Sequence, residues 1–213
     1  MDPVFQTRVR EAVQRDFLPR IPPPADLLDV GCGNGEFLKA AREAGYQVRG
    51  IDISEDSARL CREHGLQAES GNFLTHPFDR QFDFITMWDV LEHLREPSAF
   101  VARAAELLKP GGYLITKTPG YGGGNFAPIA LYNPLAKSLL GAPDHVQYFN
   151  PESMRALFAR YFQEIQWLPQ QGFRSKTPPR TLKKRISRRV IAYLHRKARN
   201  QNLYVALRKS AAG

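Results

Sequence analysis

The sequence predicts an α/β domain: a mostly parallel sheet with helices on both faces. Three observations carry that expectation. Short apolar runs alternate with segments of helical period along most of the chain, the pattern of parallel strands joined by helical crossovers. The first such run, Leu27-Leu28-Asp29-Val30, ends in glycines spaced two apart, Gly31, Gly33 and Gly35, and a helical pattern (Phe37, Leu38, Ala40, Ala41, Ala44) follows at once. Further on, Leu107-Leu108-Lys109 leads through Pro110-Gly111-Gly112 into Tyr113-Leu114-Ile115. Proline cannot continue a helix and glycine takes the turn, so this is a helix end followed by a strand.

Taken in order, Val4, Phe5, Val9, Val13 and Phe17 recur at helical spacing, which predicts a leading helix that lids the site. The stretch Pro19 to Pro24 stops that helix. Five strands fall near 26–30, 47–51, 66–69, 82–88 and 113–118, and Ser54 with Glu55 and Asp56 supplies a cap and first-turn acids for the second helix. A helix from Pro151 to Tyr161 precedes a sixth strand, Glu164 to Leu168, and Asn202 to Arg208 closes the sheet. One domain over 1–213 is expected: a lid helix and linker over 1–24, a core over 25–168, a basic helical insertion over 169–200 and a closing strand over 201–209.

The glycine turn lies at the carboxyl end of a strand, where open α/β sheets bind ligands. A dinucleotide turn needs a third glycine at residue 36, and Glu36 stands there; a carboxylate near the helix N-terminus also disfavours a pyrophosphate. The second strand, Val48 to Asp52, ends in a carboxylate 21 residues after Gly31, which can accept hydrogen bonds from both ribose hydroxyls. Gly71-Asn72-Phe73 follows the third strand. The fourth, Phe82 to Trp88, runs into Asp89-Val90-Leu91-Glu92-His93-Leu94.

Together these segments resemble the motifs of class I S-adenosylmethionine-dependent methyltransferases, over about residues 20 to 168 plus the closing strand. The group most similar is the small-molecule methyltransferases that include quinone-biosynthesis O-methyltransferases. The resemblance implies a Rossmann-like, seven-stranded sheet whose last strand inserts antiparallel beside the fifth and sixth. It implies S-adenosyl-L-methionine as cofactor, held by Asp29, Gly31, Cys32, Gly33 and Gly35 at the methionine end and by Asp52 and Ile53 at the ribose. Asn72 is implied to meet the adenine amine through its amide oxygen, Phe73 to pack on the ring, and Trp88 to complete the set; the family most often has Asp where Asn72 stands.

A phenol or catechol acceptor would benefit from a base with pKa near neutrality. The resemblance places two histidines, His93 and His145, at the acceptor pocket. Each is either a general base or an imidazole that pins a loop. The loop from Gly120 to Leu140 carries four glycines with Tyr121, Phe126, Tyr132 and Leu135, which predicts an apolar cover and hence an apolar or aromatic small-molecule acceptor. No Asn-Pro-Pro-Tyr ending follows the fourth strand, which speaks against methylation of base amino groups.

Charge is uneven. The chain carries a formal +9, yet residues 165–213 hold 13 Lys/Arg and no acid, so the excess comes from the last quarter. Thr181 to Asn200 reads as a basic amphipathic helix with Leu182, Ile186, Val190, Tyr193 and Leu194 on one face. Three readings stay open: a core-packing helix with a solvated basic face, a helix on an anionic membrane surface through 174–199, or a patch for nucleic acid or another polyanion, the last including an RNA methyltransferase. No apolar run approaches the ~20 residues that cross a bilayer, and the charged N-terminus lacks a signal region, so a cytoplasmic enzyme is expected, peripheral at most to a membrane. Cys32 and Cys61 are expected as free thiols, and no Cys/His spacing suggests a metal.

Overall fold

The computed structural model describes residues 3–120, 145–169 and 202–211. Seven strands form one sheet: β1 (Asp26–Val30), β2 (Gln47–Asp52), β3 (Ala68–Ser70), β4 (Phe82–Trp88), β5 (Leu108–Pro119), β6 (Glu164–Trp167) and β7 (Asn202–Arg208). Their order is β3-β2-β1-β4-β5-β7-β6. The first five run parallel, while β7 pairs antiparallel with β5 and β6. The helices are α1 (Pro3–Ala12), α2 (Glu36–Glu43), α3 (Glu55–Glu63), α4 (Pro97–Leu107) and α5 (Pro151–Phe158).

Alternation along the strands divides the core into two layers. On one side Leu27, Phe84 and Ile115 pack with Phe17, Leu38 and Tyr46. On the other Leu28, Ile85 and Leu114 pack with Val101, Met154 and Phe158. Helix starts follow their sequences. Ser54 caps α3 by accepting from the Ser57 N–H, and Asn150 and Ser153 form a reciprocal capping box on α5.

The N-terminal pattern folds as expected in its apolar stripe, with Val9, Val13 and Phe17 buried, but the helix widens to a π turn over Val13–Phe17. That turn brings Asp16, 2% exposed, against the far end of the chain. Its carboxylate accepts from the Tyr204 hydroxyl at 2.6 Å and from Arg15 at 2.8 and 2.5 Å. The first segment is thereby tied to β7.

Several boundaries differ from the sequence reading, among them β3, which begins at Ala68 rather than near 66. β5 begins at Leu108, not near 113, because Leu108 already pairs with Phe82; the register then shifts before Phe84, and Gly111 absorbs the irregularity at φ +79°. The Pro-Gly-Gly turn is thus a bulge within the strand. α5 ends at Phe158, three residues short of Tyr161. The glycine-rich cover beyond Gly120 and the basic helix expected over 181–200 lie outside the described residues. Among the described residues no helix is long and apolar enough to cross a membrane.

Candidate functional site

The turn after β1 is held by backbone. The Gly31 and Cys32 N–H groups both donate to Ile51 O, at 2.8 and 3.2 Å, and the Gly33 N–H donates to Asp52 Oδ2 at 2.9 Å. Gly31 has φ +70°, and a Cβ there would stand 2.7 Å from Val90 Cγ2, so the next loop is packed against it. At Gly33, φ +50°, a Cβ would meet nothing within 4 Å. The turn therefore leaves an open face against which a ligand can lie. Gly35 instead caps α2 and packs on Leu66 and Cys61.

Asp52 Oδ1 accepts from the Ser54 N–H at 2.9 Å. Each Asp52 oxygen thus has one backbone partner that fixes its direction and one lone-pair site left for a hydroxyl. Ile53 stands beside it, 80% exposed. Asn72 is exposed, and its Oδ1 accepts from the Leu74 N–H at 3.0 Å in a local turn. Phe73 is only 3% exposed and packs on Phe78 and Phe100, a core position, so the open apolar side chain at this end is Ile53.

A cavity of about 240 Å³ opens above the turn, lined by Asp29, Gly31, Cys32, Phe37, Trp88 and Lys117 among others. Val9 and Ala12 of α1 also line it. Phe37 and Trp88 face each other at 4.9 Å between ring centroids. Asp29 is 2% exposed and accepts from Thr86 Oγ1 at 2.6 Å. Burial pushes its carboxyl up to about 7, against the lowering pull of Thr86; the charge of Asp52 adds to the rise. Cys32 and Cys61 are free and buried, and burial raises both thiols.

Beyond the glycine turn a second cluster is built from side chains of β4, β5 and the loop before α5; of it only Asp89 and Lys117 line the cavity, while Glu92, His93, Thr118 and His145 are not among its lining residues. Asp89 takes φ +53° at the end of β4, and its carboxylate pairs with Lys117 of β5. Glu92 is fully buried; its Oε2 accepts from Thr118 Oγ1 at 2.8 Å, and burial raises its carboxyl. Its carbonyl accepts from the Val146 and Gln147 N–H groups at 2.9 and 3.0 Å, which fastens the residues after His145. The His93 and His145 rings meet edge to face with centroids 4.9 Å apart. Glu92, His93 and His145 bring one ligand atom each within 4.8 Å of one another, an arrangement able to hold a metal ion. Spacing could not reveal it, since His145 is 52 residues from His93.

Sequence reasoning missed Asp89, Glu92 as a buried acid, and Lys117. The available signal was Lys117 itself, a charge between Thr116 and Thr118 in a buried strand.

A methyltransferase domain family profile matches residues 5–184. The ubiquinone biosynthesis O-methyltransferase of Bordetella avium (strain 197N) is 38% identical over 102 residues, 43% of this chain and 42% of that protein. The protein of the same name from Hydrogenovibrio crunogenus is 29% identical over 144 residues, 62% of this chain and 58% of that one. The chain therefore spans less than two thirds of either relative. A solved S-adenosylmethionine-dependent methyltransferase from Archaeoglobus fulgidus shares the fold, with TM-score 0.64 and 19% identity over 96% of this chain and 94% of that one. The chain belongs to the methyltransferase domain family, in the class I S-adenosylmethionine-dependent group, and S-adenosylmethionine is its cofactor. The residues fit it: an open backbone face at Gly33, two free acceptor sites on Asp52, and a cavity walled by rings beside Asp29.

Proposed function

We propose that this domain methylates a hydroxyl oxygen of a small apolar or aromatic acceptor. The observation that carries the reading is the ring-walled cavity, which reaches from the glycine turn of β1 to Asp89 and Lys117 at β4 and β5. A nucleoside anchored on Asp52 would direct its methionine end along that cavity. The O-methyltransferase names of the two bacterial relatives support the same acceptor class.

When bound, S-adenosylmethionine supplies a methyl group activated by the sulfonium. The chain holds the acceptor in line with it, which replaces a bimolecular encounter by a fixed geometry. The acceptor oxygen forms the new O–C bond, the S–C electron pair stays on sulfur, and the hydroxyl proton passes to an imidazole, His93 or His145. Incubation with methyl-labelled cofactor and separate lipid, soluble-metabolite and RNA extracts tests this. Label in an alkali-stable ether of a small apolar product is expected; label only in RNA or protein overturns the reading.

The one-sided charge of the last quarter favours a second element of the same reading: residues 174–199, with 11 Lys/Arg and no acid, bring the pocket to an anionic membrane holding an amphiphilic acceptor. Flotation with phosphatidylglycerol vesicles should capture the protein at low salt and release it at high salt, because screening shortens the reach of each charge. Glu at Lys183, Lys184, Arg188 and Arg189 should abolish capture. A salt-sensitive gel shift with bulk RNA, without vesicle binding, would favour nucleic acid instead.

A further inference from the structure

We propose that Lys117 is the specificity residue of the acceptor site and recognises an ionised oxygen on an aromatic acceptor. The inference rests on the reading above for where the acceptor lies, and deepens it.

Lys117 stands in the buried stretch Leu114 to Thr118 of β5, and its side chain is 10% exposed. Burying an ammonium is unfavourable, and replacing a buried ion pair by apolar residues is often neutral or stabilising. Folding therefore gives little reason for a lysine here. Its partner Asp89 is 47% exposed in its side chain and is the one non-glycine residue with positive φ among the described residues. Such backbone outliers gather at working sites, where the surroundings hold them. The Asp89 N–H stays on the ladder, donating to Lys117 O at 2.8 Å, and Asp89 lines the cavity. The pair is lopsided: a buried cation with a half-open counter-ion, both lining the cavity.

Sheet order says what the ammonium faces. The strands run β2, β1, β4, β5, with Asp52 closing β2, the glycine turn after β1, Asp89 after β4 and Lys117 on β5. A nucleoside with its ribose on Asp52 and its methionine end at the glycine turn points toward β4, and β5 comes next. Lys117 thus lies past the sulfur, on the acceptor side. In register beside it stands Trp88, which with Phe37 walls the same cavity, their ring centroids 4.9 Å apart. Ring walls and one buried ammonium in a shared cavity match an aromatic body with one anionic oxygen, a carboxylate or a phenolate.

The probes are 4-hydroxybenzoate and its uncharged methyl ester, titrated calorimetrically into protein saturated with S-adenosylhomocysteine. Wild type should bind the acid at least tenfold more tightly than the ester at pH 7. K117M should lose that preference, and K117R should keep most of it. Equal binding of acid and ester supports the phenolate form only if ester affinity rises through the phenol ionisation and K117M removes the rise. Without that rise, or with no binding of either probe, the proposal is overturned. Loss of S-adenosylhomocysteine affinity in K117M would assign the ammonium to the cofactor carboxylate and also overturn it. Should K117M not fold, D89N serves: stripped of its resting counter-ion, Lys117 should bind the acid more tightly, and an unchanged acid-to-ester ratio counts against the proposal. Lys117-dependent acid binding without any O-methylated product would sink the O-methylation reading alone.

Discussion

The two rims of the candidate site are made differently. On the cofactor side, around β1 and β2, most of the donors are backbone N–H groups: Gly33 and Ser54 to Asp52, Gly31 and Cys32 to Ile51. On the side proposed for the acceptor, side chain meets side chain: Asp89 with Lys117, Glu92 with Thr118, His93 with His145. One feature is shared. Each rim buries a carboxyl that accepts from a threonine hydroxyl, Asp29 from Thr86 and Glu92 from Thr118, and burial raises both. The contrast teaches that one side of the site offers a backbone cradle, while the other offers side chains that the fold assembles; under the proposal above the first takes the methyl donor and the second the acceptor.

The largest effect that would sharpen this contrast is kinetic. If His93 or His145 takes the acceptor proton, its Ala variant should lose about 10²–10⁴-fold in turnover, with S-adenosylhomocysteine affinity unchanged by calorimetry. Wild-type rates in both variants would make the pair a structural pin.

Next comes the buried acid of the cofactor rim. Well below pH 4 Asp29 is protonated in folded and unfolded chains alike. As pH rises toward 7 the unfolded carboxyl ionises freely while the folded one resists, so its contribution to stability is lost over that window. D29N should match wild type at acid pH and exceed it by about 2–4 kcal/mol in urea unfolding at pH 8 without ligand. Parallel pH profiles would show that Asp29 ionises normally.

D52A should weaken S-adenosylhomocysteine binding by about 1.5–3 kcal/mol, the range for charge-assisted hydrogen bonds, while leaving acceptor discrimination intact. Wild-type affinity in the variant would take the ribose role from Asp52.

The smallest effects set the two threonines against each other. T86V and T118V should each destabilise the fold by about 1–3 kcal/mol, by leaving a buried carboxyl short of a donor. They should differ in function: T86V should raise the cofactor dissociation constant, and T118V should lower turnover at saturating cofactor. The same phenotype from both would erase the distinction between the rims.

How much of this was legible follows from the same contrast. The strand starts at Asp26, Gln47 and Phe82, the α3 cap at Ser54 and the closing strand from Asn202 could be read because apolar period, glycine and cap residues act over a few positions. The contacts of Phe73 with Phe78 and Phe100 could not be read, since an aromatic residue after a strand looks the same in sequence whatever its ring packs on. The start of β5 was misjudged because a Pro-Gly-Gly turn and a bulge share a composition, and only pairing with Phe82 separates them.

By itself, then, the sequence determined the alternating α/β order, the glycine turn, the carboxylate that closes β2 and the cofactor class, because each is carried by short motifs along the chain. Only the tertiary structure decided that Lys117 would meet Asp89, that Glu92 would be buried beneath Thr118, and that Asp16 would bind Tyr204 from 188 residues away. Those contacts depend on which strands lie side by side and which face each residue takes, and sheet order β1-β4-β5-β7 is fixed by packing across the whole core rather than by any local pattern.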